Sequence, residues 1–387
     1  MADPVPAPSP DRLYWLDHIR TAVIVLVVNL HACVTYSYIG GWYLRVGPVP
    51  SERVRTLFLL WEGHLQAFFM GLLFFVSGYF AQISLNRRGV GSFVRERLRR
   101  LGAPTLFYML VVHPFVIYGL NPYRIPPAQL PASLRDYYVS GNFAGGTGPL
   151  WFAVALLIFS AVLVGGWNSD RSRGAPPAPA AGWPGAGTLA GFALFLVAAT
   201  FAVRLFVPIG SMVLGFQFCF FPQYIAAFAV GVWIARRQLI VPLATSRVAQ
   251  RAGWAALVLG PIVLLGVLAL PRWLGPTVAG PMEGGWNWGA FGYAAWEQII
   301  GVGLALGTLA LFARRFTGEA KLARWMSDRS FAVYVLHPPV LVALTLWFQP
   351  LGLNPFAGAA LLTVTGLAGS FAAADLARRI PGLKSIL

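Results

Sequence analysis

Ten stretches of this sequence are long and apolar enough to cross a bilayer, and that feature leaves few folds open. They fall at about 19–38, 57–83, 101–120, 149–166, 187–207, 216–235, 252–271, 288–313, 331–349 and 356–377. In hydrocarbon every backbone N–H and C=O must be satisfied within the protein, and a single apolar run achieves that only as an α-helix. The expected fold is therefore all-α, a polytopic membrane bundle of about ten transmembrane helices. Composition supports this. Apolar residues make up 57% of the 387-residue chain and charged residues only 11%, against roughly 25% in a soluble domain. The 28 Phe and 14 Trp suit a hydrocarbon core with aromatic belts.

The net charge of +16 does not point to nucleic acid, because the basic residues sit in short loops between apolar runs rather than on one soluble face. Their distribution instead orients the chain. With the N-terminus inside, the inner segments hold 22 of the 29 basic residues, including all six arginines from Arg87 to Arg100. The outer side keeps seven: Arg45, Arg53, Arg55, Arg124, Arg135, Arg204 and Arg272. Every inner loop is basic, as the positive-inside rule requires. Both termini are expected in the cytoplasm and the protein in the cell inner membrane as a multi-pass chain. Residues 1–15, Pro-rich and slightly acidic, read as a disordered cytoplasmic tail without the features of a signal peptide. Residues 16–380 form the membrane domain and 381–387 a second cytoplasmic tail. Residues 167–186 read as a flexible inner linker. Outer loops at 121–148, with Tyr137 and Tyr138, and at 272–288, with Trp273, Glu283, Trp286 and Trp288, can meet an external substrate or simply anchor the interface.

Ionisable side chains inside spans are costly and point to function. The candidates are Arg20, His31, Glu62, His64, His113, Glu297 and His337. Eleven residues separate Arg20 from His31, which is three helical turns plus roughly 20°, so the two share a face about 16 Å apart. Asp17 precedes Arg20 by one turn and can pair with it. Arginine at the inner mouth suits a phosphate-bearing donor, and a deeper imidazole suits proton transfer from a hydroxyl. The bland alternative is a boundary arginine and an interhelical hydrogen bond. Glu62, His64 and Glu297 fall at a depth similar to that of His31, so any of them could orient it or carry a proton. His113 precedes Pro114, a pair that can mark a kink. The run Arg87–Arg100 can bind a nucleotide's phosphates, bind anionic lipid headgroups, or only set topology. Cys33 and Cys219 fit no metal or disulfide pattern, and no metal is expected.

Four stretches carry a family resemblance. LDHIRTAVIVLVVNLHA, Leu16–Ala32, contains an Arg-x10-His pattern as Arg20 and His31. FFVSGYF, Phe74–Phe80, includes Ser77. FVRERLRRLGAP, Phe93–Pro104, places Arg97 and Arg100 in an Arg-x-x-Arg pattern. FAVYVLHPP, Phe331–Pro339, carries Tyr-x-x-His-Pro, and PLWF, Pro149–Phe152, is a fifth, weaker element. Together they resemble the acyltransferase-3 family of bacterial integral membrane proteins, closest to the branch that acylates periplasmic glucans. The sequence departs at FMGLL, Phe69–Leu73, where many relatives carry His-Met-Pro-Leu.

The resemblance implies that His31 is the catalytic histidine and Arg20 its essential companion. Glu62 and Glu297 are carried as further catalytic candidates. Arg97, Arg100, Ser77 and His337 are expected to help place the donor or support the site. The expected reaction is O-acyl transfer from cytoplasmic acyl-CoA, with acetyl-CoA as the expected donor. That thioester is a co-substrate, and no permanently bound cofactor is expected. The acceptor is a hydroxyl of a glycan, lipid or small molecule, and the expected partners are membrane lipid, acyl-CoA and a carbohydrate or other hydroxyl acceptor. His31 acts either as general base or as a transient acyl carrier. The rival class is a secondary transporter with these groups as a proton relay. The absence of an internal repeat and of paired broken spans counts against it.

Overall fold

The computed structural model describes residues 13–120, 133–171 and 185–386. Residues 1–12 of the expected tail 1–15, 121–132 of the expected outer loop 121–148 and 172–184 of the expected linker 167–186 lie outside the described residues, as do Arg12, Arg124 and Arg173. Among the described residues there is no β-strand, and ten helices have the length and composition to cross a membrane. They are α1 (Tyr14–Ser37), α2 (Glu52–Arg88), α3 (Val90–Leu120), α4 (Trp151–Arg171), α5 (Ala186–Arg204), α6 (Phe221–Arg237), α7 (Arg247–Leu274), α8 (Trp288–Arg315), α9 (Ser330–Phe348) and α10 (Pro355–Ala377). An even number of crossings puts Leu13 and Ile386 at one end of the bundle; following the expected topology, that end is labelled inner and the opposite end outer.

Local chemistry starts these helices. Ser51, Ser246, Asn287 and Asn354 each accept a hydrogen bond from the backbone N–H three residues on, capping α2, α7, α8 and α10. Helix α2 has 37 residues, about 55 Å, and so extends well beyond a hydrocarbon core of about 30 Å. It runs unbroken through Phe69–Leu73. The basic run 87–100 is not a loop as expected. The chain reverses at Gly89, where φ is +72°, and α3 begins at Val90 rather than near residue 101. Only a residue without a Cβ takes that left-handed turn cheaply, so the arginines are held on helices. Farther along, α3 alternates α-helical turns with π-helical ones at Leu98–Gly102, Tyr108–Val112 and Phe115–Leu120.

Helix α1 packs against α2, α8, α9 and α10. Helices α2 and α6 cross at contact distance. A Cβ on Gly78 would strike the Phe228 carbonyl, and one on Gly231 would strike the Phe75 carbonyl. Small residues at such a crossing let two backbones touch in a medium that offers little hydrophobic drive. This crossing explains the glycine of FFVSGYF. Phe74 of the same element packs on Phe152 of PLWF, with ring centroids 4.6 Å apart, and on Tyr224 at 4.9 Å. At the inner end Tyr14 of α1 donates to Glu319, in the segment after α8, at 3.0 Å, and Arg329 at the start of α9 pairs with Asp375 of α10 at 2.5 Å.

Candidate active site

The centre of the site is a pair of histidines from helices far apart in sequence. His31 Nδ1 lies 2.9 Å from His337 Nε2. Their planes differ by 9° and their centroids are 5.1 Å apart, so the rings lie edge to edge in nearly one plane. His337 is fully buried in α9, and its Nδ1 lies 2.8 Å from the Tyr334 carbonyl oxygen. Tyr334 is tied down in turn, because its hydroxyl donates to the Pro149 carbonyl. Trp42, from the loop between α1 and α2, covers both imidazoles. Its ring is 3.9 Å from that of His31 and 6.0 Å from that of His337, each within 11° of parallel. His31 itself stays half-buried. His31 stands about 9 Å from the outer end of α1 and about 16 Å from Arg20.

Beside Trp42, Tyr43 continues the polar cluster toward the outer end. Its hydroxyl is 2.8 Å from the Tyr108 hydroxyl and 2.8 Å from His113 Nδ1. Burial raises the pKa of the Tyr43 phenol, so it remains a neutral group. Tyr137 and Tyr138 donate to the Met109 and Leu110 carbonyls at 2.7 and 2.6 Å. These are backbone groups of the π-helical stretch of α3. The two tyrosines, left by the sequence between meeting an external substrate and anchoring the interface, satisfy backbone in a distorted helix, and His113 holds a loop residue as well as preceding Pro114.

At the inner end the second half of the site assembles. The guanidiniums of Arg20, Arg100 and Arg88 all act electrostatically on Arg97. Asp17 lies 3.6 Å from Arg20 and Glu96 lies 3.3 Å from Arg100, while Glu96 also pairs with Arg88. Three of these four guanidiniums thus pair with two carboxylates. Arg97 is half-buried over Phe93 at 5.0 Å, and Arg20 lies 5.9 Å from the ring of Phe80, the last residue of FFVSGYF. The Arg20 side chain keeps 46% of its surface exposed. Such a cluster attracts phosphates.

The structure places the remaining candidates elsewhere. Ser77 is half-buried on α2, beside the Gly78 crossing. Glu62 is buried against the other face of α1, near Cys33 and Ser37; Ser37 is its polar neighbour but lies outside hydrogen-bonding geometry, and neither carboxyl oxygen finds a partner among the described residues. His64 points its Nδ1 at the Leu60 carbonyl, 2.5 Å away, and packs edge-on to Trp296. Glu297 pairs with Arg204 at 2.6 Å and accepts from Gln298 at 2.9 Å. Arg204, assigned from the sequence to the outer side, is fully buried. None of the three groups expected to orient His31 is its hydrogen-bond partner; His337 takes that place. The sequence reading also missed Trp42 and Tyr43. The only signal for them was an aromatic pair following Gly40-Gly41 directly after the first span.

Comparison with known proteins places the chain in a family. Residues 13–375 match the acyltransferase-3 family, described as an acyltransferase domain, and the chain belongs to that family. By fold it is a polytopic helical membrane protein of that family. It is similar to the glucans biosynthesis protein C of Salmonella paratyphi B, Salmonella heidelberg and Salmonella enteritidis, with 30% identity over 182 residues in each case. The similarity covers 46% of this chain and 44% of those relatives, so it spans less than half their length. No solved structure matches the chain.

Proposed function

We propose that this protein moves an acyl group, with acetyl as the expected case, from acyl-CoA at the inner end of the bundle to a carbohydrate hydroxyl at the outer end. The observation that carries the reading is the arrangement along α1. A cluster of guanidiniums at one end and a half-buried imidazole deep toward the other lie on one face, about 16 Å apart. Arg20, Arg97 and Arg100, with Arg88, hold the phosphates of the donor, and its extended arm brings the thioester toward His31. His31 takes the proton of the acceptor hydroxyl as its oxygen attacks the thioester carbonyl carbon. The carbon–sulfur bond breaks, and the departing CoA thiolate recovers the proton from the imidazolium. Proton and charge balance without a metal or further cofactor in the scheme. The basic inner loops favour an inner-membrane protein with both termini cytoplasmic. A glucan is the first acceptor to test, because the similar Salmonella proteins are named for glucan biosynthesis.

Purified protein in lipid nanodiscs, supplied with acetyl-CoA and a glucan, should release free CoA thiol and yield O-acetylated sugar. A His31→Ala protein of normal fold should lose about 10²–10⁴-fold in turnover. Full activity in that variant would overturn the mechanism. A transporter would leave the thioester intact in both proteins.

A further inference from the structure

The Tyr-x-x-His-Pro element of α9 contains a proline at the position where a helix should supply a backbone donor. In an α-helix the N–H of residue 338 would bond the carbonyl of residue 334. Residue 338 is proline, as is residue 339, and both lie inside α9. Proline has no N–H, so the Tyr334 carbonyl loses its usual donor. That vacated carbonyl is the one that His337 Nδ1 approaches to 2.8 Å. A carbonyl oxygen can only accept, so Nδ1 of His337 carries a hydrogen.

The consequence runs along the ring pair. A neutral imidazole holds one hydrogen, so Nε2 of His337 is a bare acceptor. It lies 2.9 Å from His31 Nδ1, which must then be the donor. The single hydrogen of His31 is used there, and its Nε2 keeps the lone pair. A charged imidazolium at either ring has no support, since among the described residues no carboxylate acts on either one. A buried unpaired charge is costly.

We propose that Pro338 and His337 together set the tautomer of His31, so that Nε2 is the atom that takes the acceptor's proton. This rests on the proposed acyl transfer with His31 as base. His337 is a positioning residue. It does for His31 what a buried carboxylate does in a hydrolase triad, orienting the ring and fixing which nitrogen is free. It does so without a charge, which suits a site within the lipid slab. Pro338 acts one step farther out, by leaving a backbone carbonyl vacant. Tyr334 completes the device, because its hydroxyl bond to Pro149 steadies the residue whose carbonyl is used.

The test combines spectroscopy with kinetics on the full chain in liposomes. The protein has five histidines. Nitrogen-15 histidine labelling, with His31 assigned from a His31→Gln spectrum, should show His31 protonated at Nδ1 and bare at Nε2. Pro338→Ala restores the backbone N–H, which competes for the Tyr334 carbonyl. The His31 signal should then split between tautomers and kcat should fall about tenfold, the weight of one competing backbone hydrogen bond. KM for donor and acceptor should not change. His337→Gln, whose amide can donate and accept, should keep at least ten times the turnover of His337→Leu, and that pair carries the test if the Pro338 variant misfolds. Three results would overturn the inference: wild-type His31 protonated at Nε2; Pro338→Ala with wild-type turnover; or equal loss in the two His337 variants. Failure of acyl transfer itself would appear separately, as wild-type protein that shows the stated tautomer but consumes no thioester.

Discussion

Two buried polar clusters lie in the outer half of the bundle, and they are built in opposite ways. The first is His31 with His337, two imidazole rings joined end to end and covered by Trp42. The second is Glu297 with Arg204, an ion pair 2.6 Å long flanked by Phe220 and Tyr293. The histidine pair leaves one ring half-buried. The ion pair is sealed: both residues are at most 2% exposed at the side chain. Neutral groups can face a substrate in a low-dielectric site without a charge to neutralise first. An ion pair in the same medium is strong only while both partners remain. On the proposed mechanism, chemistry falls to the first cluster and helix cohesion to the second.

The largest effect that could break this contrast is the loss of the His31 ring. His31→Ala should remove about 10²–10⁴-fold of turnover and leave the thermal midpoint almost unchanged, measured by CoA release and by scanning fluorimetry. Next is Glu297→Ala. It strands Arg204 in the interior and should cost about 3–5 kcal/mol of stability, read as a lower unfolding midpoint, with turnover per folded molecule retained. Replacing both partners, Arg204→Met with Glu297→Leu, should recover most of that loss. A Glu297 variant that folds normally but is inactive would move this residue back into the chemistry. A smaller effect is expected at the inner end. Arg97→Ala should raise KM for acetyl-CoA about tenfold, the scale of one charged hydrogen bond, and leave acceptor KM alone. The loss should shrink with a dephosphorylated donor. The smallest is Trp42→Ala, where removing the ring stacked on His31 should lower kcat by about two- to tenfold, with Trp42→Phe in between.

Much of this site was legible in the chain. The common face of Arg20 and His31 followed from an eleven-residue spacing, because helix geometry turns a separation in sequence into an angle and a rise. The six arginines at 87–100 marked the inner end through charge alone. Glu62, His64 and Glu297 were placed at the depth of His31 by the same counting, yet they meet other partners. Depth follows from the rise per residue within one span. Which neighbour a side chain meets depends on how each helix is rotated and on which helix lies beside it. The backbone contacts at Gly78 and Gly231 set that rotation for α2 and α6. Trp42 was invisible for a related reason: a loop residue has no periodicity to give its direction.

The amino-acid sequence by itself determined ten crossings, their alternating direction, and the axial positions of the guanidinium cluster and the imidazole, since hydrophobic length and helix rise are local properties. Only the tertiary structure decided that His337, 306 residues away, is the partner of His31, that Glu297 belongs to Arg204, and that an indole from a loop covers the histidine pair. Those are choices among neighbours made by side-chain packing between helices, and no single helix contains the information.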